Sequence, residues 1–184
     1  MSDEEIYSPE ELRAFHVVGE FLGWFARLEA VIDYSIIDIL ELDQVAGRLL
    51  MTFVTFSNKC SILEELATSE SARLSEAERK DFRSAIGKIR DLSQKRNTIA
   101  HSMFEPIDGG IKFSHGKKKL VEDRSETINH DVFPRYRTQM ADLWGSVASI
   151  ASKIRFNGGQ KQIAEAVLRA RLAIVEPEPG SKPN

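Results

Sequence analysis

The chain has 184 residues, 42% hydrophobic and 29% charged, with a formal net charge of −3. This length suits one core of ordinary size, and the composition is that of a soluble globular protein. The acidic balance argues against a general polyanion binder, so any contact with nucleic acid needs a local basic patch.

No apolar run approaches the roughly 18 residues of a membrane span, so no membrane partner is expected. The N-terminal MSDEEIYSPEE is acidic and carries no basic-then-apolar signal. Cys60 stands alone, which rules out an internal disulfide and fits a cytoplasmic location. Set among Phe53, Val54, Phe56, Ile62 and Leu63, it reads as a small core residue rather than a nucleophile.

Taken in order, Ser8-Pro9-Glu10-Glu11 announces the first helix, with serine at the N-cap, proline at the first position and glutamate at the third. The apolar series Phe15, Val18, Leu22, Phe25, Leu28, Ile32, Ile36 and Ile39 steps by threes and fours to about Leu42. Gly19 and Gly23 stack one turn apart, where a close helix approach, a bend or a break is possible. Glu29 and Asp33, four apart in this apolar stretch, are the candidate acidic partners of a buried cation, although water-facing positions fit the pattern equally well.

Gln44 to Phe56 is arguable as helix or strand, and is read as a short helix ending near Phe56-Ser57. A second helix runs from Ser57 to about Ala67, with Lys59 near its start expected at the surface. Ser75-x-x-Glu78 is a further capping box, opening the helix that carries Asp91–Phe104, DLSQKRNTIAHSMF.

With Phe82, Ile86, Ile89, Leu92, Ile99 and Met103 as the apolar stripe, Arg96 falls near its middle. A charge there is costly unless paired, so Arg96 is expected to be buried against a carboxylate, and Arg96→Ala to strand that partner. Asn97 and His101 are four apart and share the stripe's flank. One helical end thus offers a fixed cation, an amide and an imidazole, a set suited to handling phosphate. Such residues at a helix C-terminus also satisfy its last carbonyls and complement its dipole.

Beyond the motif the period changes. Met103–Ile107, Asp108-Gly109-Gly110 and Ile111–His115 read as a β-hairpin. Lys112, Lys117, Lys118 and Lys119 follow the motif closely and are candidates for gripping an RNA backbone, the plainer reading being a solvated loop. A helix from about Asp131 carries Phe133, Tyr136, Met140, Leu143, Val147, Ile150 and Ile154, and Asn157-Gly158-Gly159 stops it. A last short helix is expected over about Gln160–Val175, and the proline-rich Glu176–Asn184 is expected to be disordered. His16, His115 and His130 are scattered, so neither a metal site nor a cofactor is expected.

Arg96-Asn97-Thr98-Ile99-Ala100-His101 resembles the Arg-x4–6-His motif of the HEPN superfamily, including the polar residue after the arginine. The layout is similar too, with an acidic residue in FARLEAVID on a long first helix, then FSNKCSILEEL, the motif, a hairpin and more helix. The likeness spans about Phe15–Ile154, with the motif its specific part. It implies an antiparallel helical bundle that dimerises across a cleft lined by two copies of the motif. In active members it implies metal-independent RNA cleavage, the ribose 2′-hydroxyl attacking the adjacent phosphate. His101 would then be general acid/base, Arg96 would stabilise the phosphorane charge or hold the site together, and Asn97 would orient His101 or bind a phosphate oxygen. Met103 stands where some toxin members carry a tyrosine that an antitoxin enzyme modifies.

The expectation is therefore an all-α protein, an antiparallel bundle of about five helices with one hairpin insertion at 103–115, forming a domain over 8–175 between flexible tails at 1–7 and 176–184. The expected function is a HEPN-type endoribonuclease of a toxin or phage-defence system, acting on RNA as a homodimer with an antitoxin or regulatory partner. The alternatives are a non-catalytic helical module binding RNA, a nucleotide or a protein, and a structural assembly subunit.

Overall fold

The computed structural model describes residues 7–114 and 125–154. Of these, 76% are helical, in five helices accompanied by a three-stranded antiparallel sheet. The helices are α1 (Pro9–Ile39), α2 (Gln44–Phe53), α3 (Phe56–Thr68), α4 (Glu76–His101) and α5 (Val132–Lys153). The strands are β1 (Met103–Ile107), β2 (Gly110–Ser114) and β3 (Ser125–Asn129). No described helix is long and apolar enough to cross a membrane. The last predicted helix, about Gln160–Val175, and Lys117–Lys119 lie outside the described residues.

Local chemistry sets the helix ends. At the start of α1 the Ser8 N–H donates to Glu11 Oε2 at 2.7 Å and the Glu11 N–H donates to Ser8 Oγ at 3.2 Å, the reciprocal box its sequence predicts. The helix then runs unbroken past Gly19 and Gly23, where an added Cβ would meet nothing within 4 Å among the described residues, so neither glycine serves a close approach there or a break. It ends where Glu41 adopts a left-handed φ of 49° and the Leu42 N–H reaches back to the Ile37 carbonyl at 3.0 Å. Asp43 caps α2 and Thr55 caps α3 through their side-chain oxygens.

The described residues fall into two compact units, one within Met1–Ala30 and Gly87–Gly145, the other within Val31–Ile86 and Ser146–Asn184. The first holds the motif. Its buried side chains include Phe21, Phe25 and Leu28 from α1, Ile89, Leu92 and Ile99 from α4, and Ile111, Phe113 and Ile128 from the sheet. Phe21 meets Phe133 and Tyr136 of α5 edge-on, at 6.4 and 5.4 Å between centroids, and Arg137 pairs with Glu20 at 2.9 Å.

The sheet has the order β1-β2-β3. The sequence predicts its first two strands with the Asp108-Gly109 turn, where Gly109 takes a φ of 72°. The third strand corrects the hairpin expectation: SETIN pairs antiparallel along β2, Ile111 facing Ile128 and Lys112 facing Thr127. Its single large apolar residue, Ile128, is too weak a period-2 signal to be seen without its partner strand.

In the second unit Ile32, Ile36, Ile37 and Leu40 of α1 are buried, as are Met51, Cys60, Leu63, Phe82 and Ile86. Gly47 lets α2 lie close to α1, since a Cβ there would stand 2.9 Å from Ile37 Cγ1. Lys59 corrects the surface expectation. It is 5% exposed, its Nζ lying 2.9 Å from Asp33 Oδ1 and 3.0 Å from Oδ2.

Candidate functional site

The motif occupies the last turns of α4. This helix begins with the predicted box, the Ser75 N–H and Oγ both donating to Glu78 Oε2 at 2.8 and 2.7 Å. At its other end the Ser102 N–H still bonds to the Thr98 carbonyl at 3.1 Å, and β1 begins at Met103 with no intervening loop. Phe104 anchors that exit, its ring 5.3 Å from Phe15 and 6.2 Å from Phe113. The C-terminal turn of α4 is therefore fixed by packing immediately after His101.

Arg96 is half-buried, with its guanidinium carbon 5.9 Å from the centroid of the buried Phe25 ring. At that separation the cation is attracted by the ring quadrupole. Its Nη1 donates to Asn97 Oδ1 at 3.1 Å. This corrects the buried-pair expectation: Asp33 gives its carboxylate to Lys59, and Arg96 is held by an aromatic face and an amide. The helical stripe places a residue near the core, but only packing decides whether a long side chain snorkels outward over a ring.

Asn97 and His101 are exposed on the surface of α4, one turn apart. With Asn97 Oδ1 engaged by Arg96, the planar amide turns its NH2 donors the other way. Glu29 lies half-buried on α1 in the same unit as the motif, whereas Asp33 belongs to the second unit. Met103, predicted on the apolar stripe, is 76% exposed, because the chain has left the helix and the strand alternation turns it outward. Lys112 lies half-buried on the central strand, in register with Glu105 and Thr127.

One ion pair of this region leaves no mark in the sequence. Lys95, next to Arg96, forms an ion pair with Glu126 of β3, both side chains somewhat over a third exposed. The hydrogen bond to Glu126 raises the Lys95 ammonium above its usual range, against the opposing effect of burial. Glu126 comes from the unforeseen strand, so nothing in the sequence could pair the two.

The site thus offers a held cation, an outward amide and an accessible imidazole on one rigid helical end. Among the described residues no group of three or more His, Cys, Asp and Glu side chains is arranged to hold a metal ion. No protein-family model, curated protein or solved structure matches the chain.

Proposed function

We propose that this chain is an RNA-cleaving helical protein whose chemistry is carried by Arg96, Asn97 and His101. More specifically, we read it as a metal-independent endoribonuclease of the HEPN type, working as a homodimer in a toxin or phage-defence setting. The observation that carries the reading is the end of α4, where Arg96 is bonded to Asn97 at 3.1 Å and His101 stands exposed one turn further on.

In this reading His101 of one copy takes the proton from the ribose 2′-hydroxyl, whose oxygen attacks the neighbouring phosphorus. His101 of a second copy gives a proton to the departing 5′-oxygen, leaving a cyclic phosphate and a 5′-hydroxyl. Arg96 and the Asn97 amide stabilise the charge that builds on the non-bridging oxygens. One histidine per motif is the reason the dimer belongs to the mechanism.

In the second unit, and independently of the motif in the first, an exposed stripe supports self-association. Val45, Leu49 and Phe53 of α2 are 78%, 62% and 74% exposed, on the side opposite Gly47 and Met51. They amount to roughly 400 Å² of exposed surface per copy, within the range of the largest patch on a typical monomer, which is often functional. Two copies give roughly 800 Å², which the flanking Tyr34 and Arg48 extend toward the ~1,200 Å² lower edge of stable interfaces.

The packing of Arg96 on Phe25 also favours a second reading, a non-catalytic RNA-binding module in which the arginine is structural. Incubation of purified protein with mixed RNA in EDTA, beside His101→Ala, separates the two. Cleavage to cyclic-phosphate ends that vanishes in the variant supports the nuclease; binding without cleavage by a folded dimer supports the module.

A further inference from the structure

Beside the motif, a cleft of about 410 Å³ opens between α4 and α5. Gln94, Lys95 and Thr98 line it from α4, Tyr136 and Gln139 from α5, and Leu92 and Asp91 complete the wall. We infer that this cleft seats the base and ribose of one nucleotide of the RNA strand whose phosphate is handled by Arg96, Asn97 and His101. The inference rests on the ribonucleic-acid reading given above and names the part of the substrate that lies beside the reacting phosphate.

Charge decides against a phosphate in the cleft itself. Lys95 is paired with Glu126, and the lining also includes the Asp91 carboxylate, so the lining itself offers a phosphate no net positive charge. What remains is hydrogen-bonding capacity without net positive charge. The Gln94 and Gln139 amides each present a donor and an acceptor, the pattern that base edges require. The Thr98 and Tyr136 hydroxyls suit ribose, and Leu92 supplies an apolar wall. The size lies within the usual range of small-molecule sites.

Position connects the cleft to the chemistry. Thr98 precedes His101 by three residues, so the two are surface neighbours about 4.5 Å apart along the helix axis. A base seated over Thr98 directs its sugar–phosphate toward the imidazole. Tyr136 is held for this role by its edge contacts with Phe21 and Phe133. Lys95, fixed by Glu126, closes one side.

The test titrates the full chain with each of the four ribonucleosides and, separately, with inorganic phosphate, observed by ligand-detected NMR. The proteins are wild type, Gln94→Ala/Gln139→Ala and His101→Ala. At least one nucleoside saturates wild type and His101→Ala alike, the double variant weakens it at least about tenfold, and phosphate does not displace it. Absence of saturable binding, displacement by phosphate, or unchanged affinity in the folded double variant overturns the inference. Should the double variant not fold, the single Gln94→Ala and Thr98→Val variants carry the same comparison.

Mapping cut sites on RNA keeps the two readings apart. Nucleoside binding without any RNA cleavage or RNA binding removes the functional reading and leaves a nucleoside site. His101-dependent cleavage whose base preference is unmoved by the double variant overturns the cleft alone.

Discussion

Lys59 and Asp33 form an ion pair in the second unit, the ammonium 2.9 and 3.0 Å from the two carboxylate oxygens and the lysine buried at 5% exposure. Removing one partner of such a pair leaves the other desolvated, which costs more than replacing both. Lys59→Met is expected to destabilise the protein by about 2–4 kcal/mol, at the lower end because the Asp33 side chain keeps 25% exposure. Lys59→Met with Asp33→Leu should recover much of that loss. Urea unfolding of the two single variants and the double variant measures it, and additive losses would contradict the pairing.

Arg96 and His101 should separate in stability. Arg96→Ala loses a cation–ring contact and the packing of its aliphatic stem, about 1 kcal/mol, and strands no carboxylate among the described residues. His101→Ala, at an exposed position, should stay within about 0.5 kcal/mol of wild type. A loss of several kcal/mol for Arg96→Ala in thermal melts would return the arginine to a buried pair.

Part of the protein's acid sensitivity should be traceable to Glu78. The Ser75 hydroxyl and N–H, and then Lys153 at 3.0 Å, hold the Glu78 carboxyl at about 2, below its ordinary 4.5. A depressed folded value means that its stabilising contribution is complete above about pH 4.5 and is lost as pH falls toward about 2. Glu78→Gln is expected to melt below wild type at neutral pH, with the gap closing across that window. A gap that persists at pH 2 would show that the charge is not its source.

The α2 stripe makes a prediction about assembly. Leu49→Asp places a charge at the centre of Val45, Leu49 and Phe53, where wild type is 62% exposed. Sedimentation should show a concentration-dependent dimer for wild type and a monomer for the variant. Melting in dilute solution should be nearly unchanged, since the side chain faces outward. A Leu49→Asp variant that still dimerises would remove α2 from the assembly, and a wild type that stays monomeric at high concentration would remove the two-copy mechanism itself.

Much of this protein was legible in one dimension. Helix starts were readable because their causes are local: Ser8 and Glu11, like Ser75 and Glu78, find each other within one turn. The first hairpin was readable for the same reason, its turn set by Asp108-Gly109 between adjacent strands. The motif's place at the end of a helix followed from the apolar period of α4.

Tertiary structure decided what depends on residues distant in the chain. It gave Asp33 to Lys59, 26 residues away, and set Arg96 on Phe25. It added β3 to the hairpin, and with it the Glu126 partner of Lys95. Periodicity assigns a residue to a face, but not which of several charges reaches a carboxylate, because that choice rests on side-chain packing and desolvation summed over neighbours the sequence does not order. The chain by itself set the capped starts of α1 and α4 and the motif's place at the end of α4; the fold decided what Lys95 and Arg96 meet.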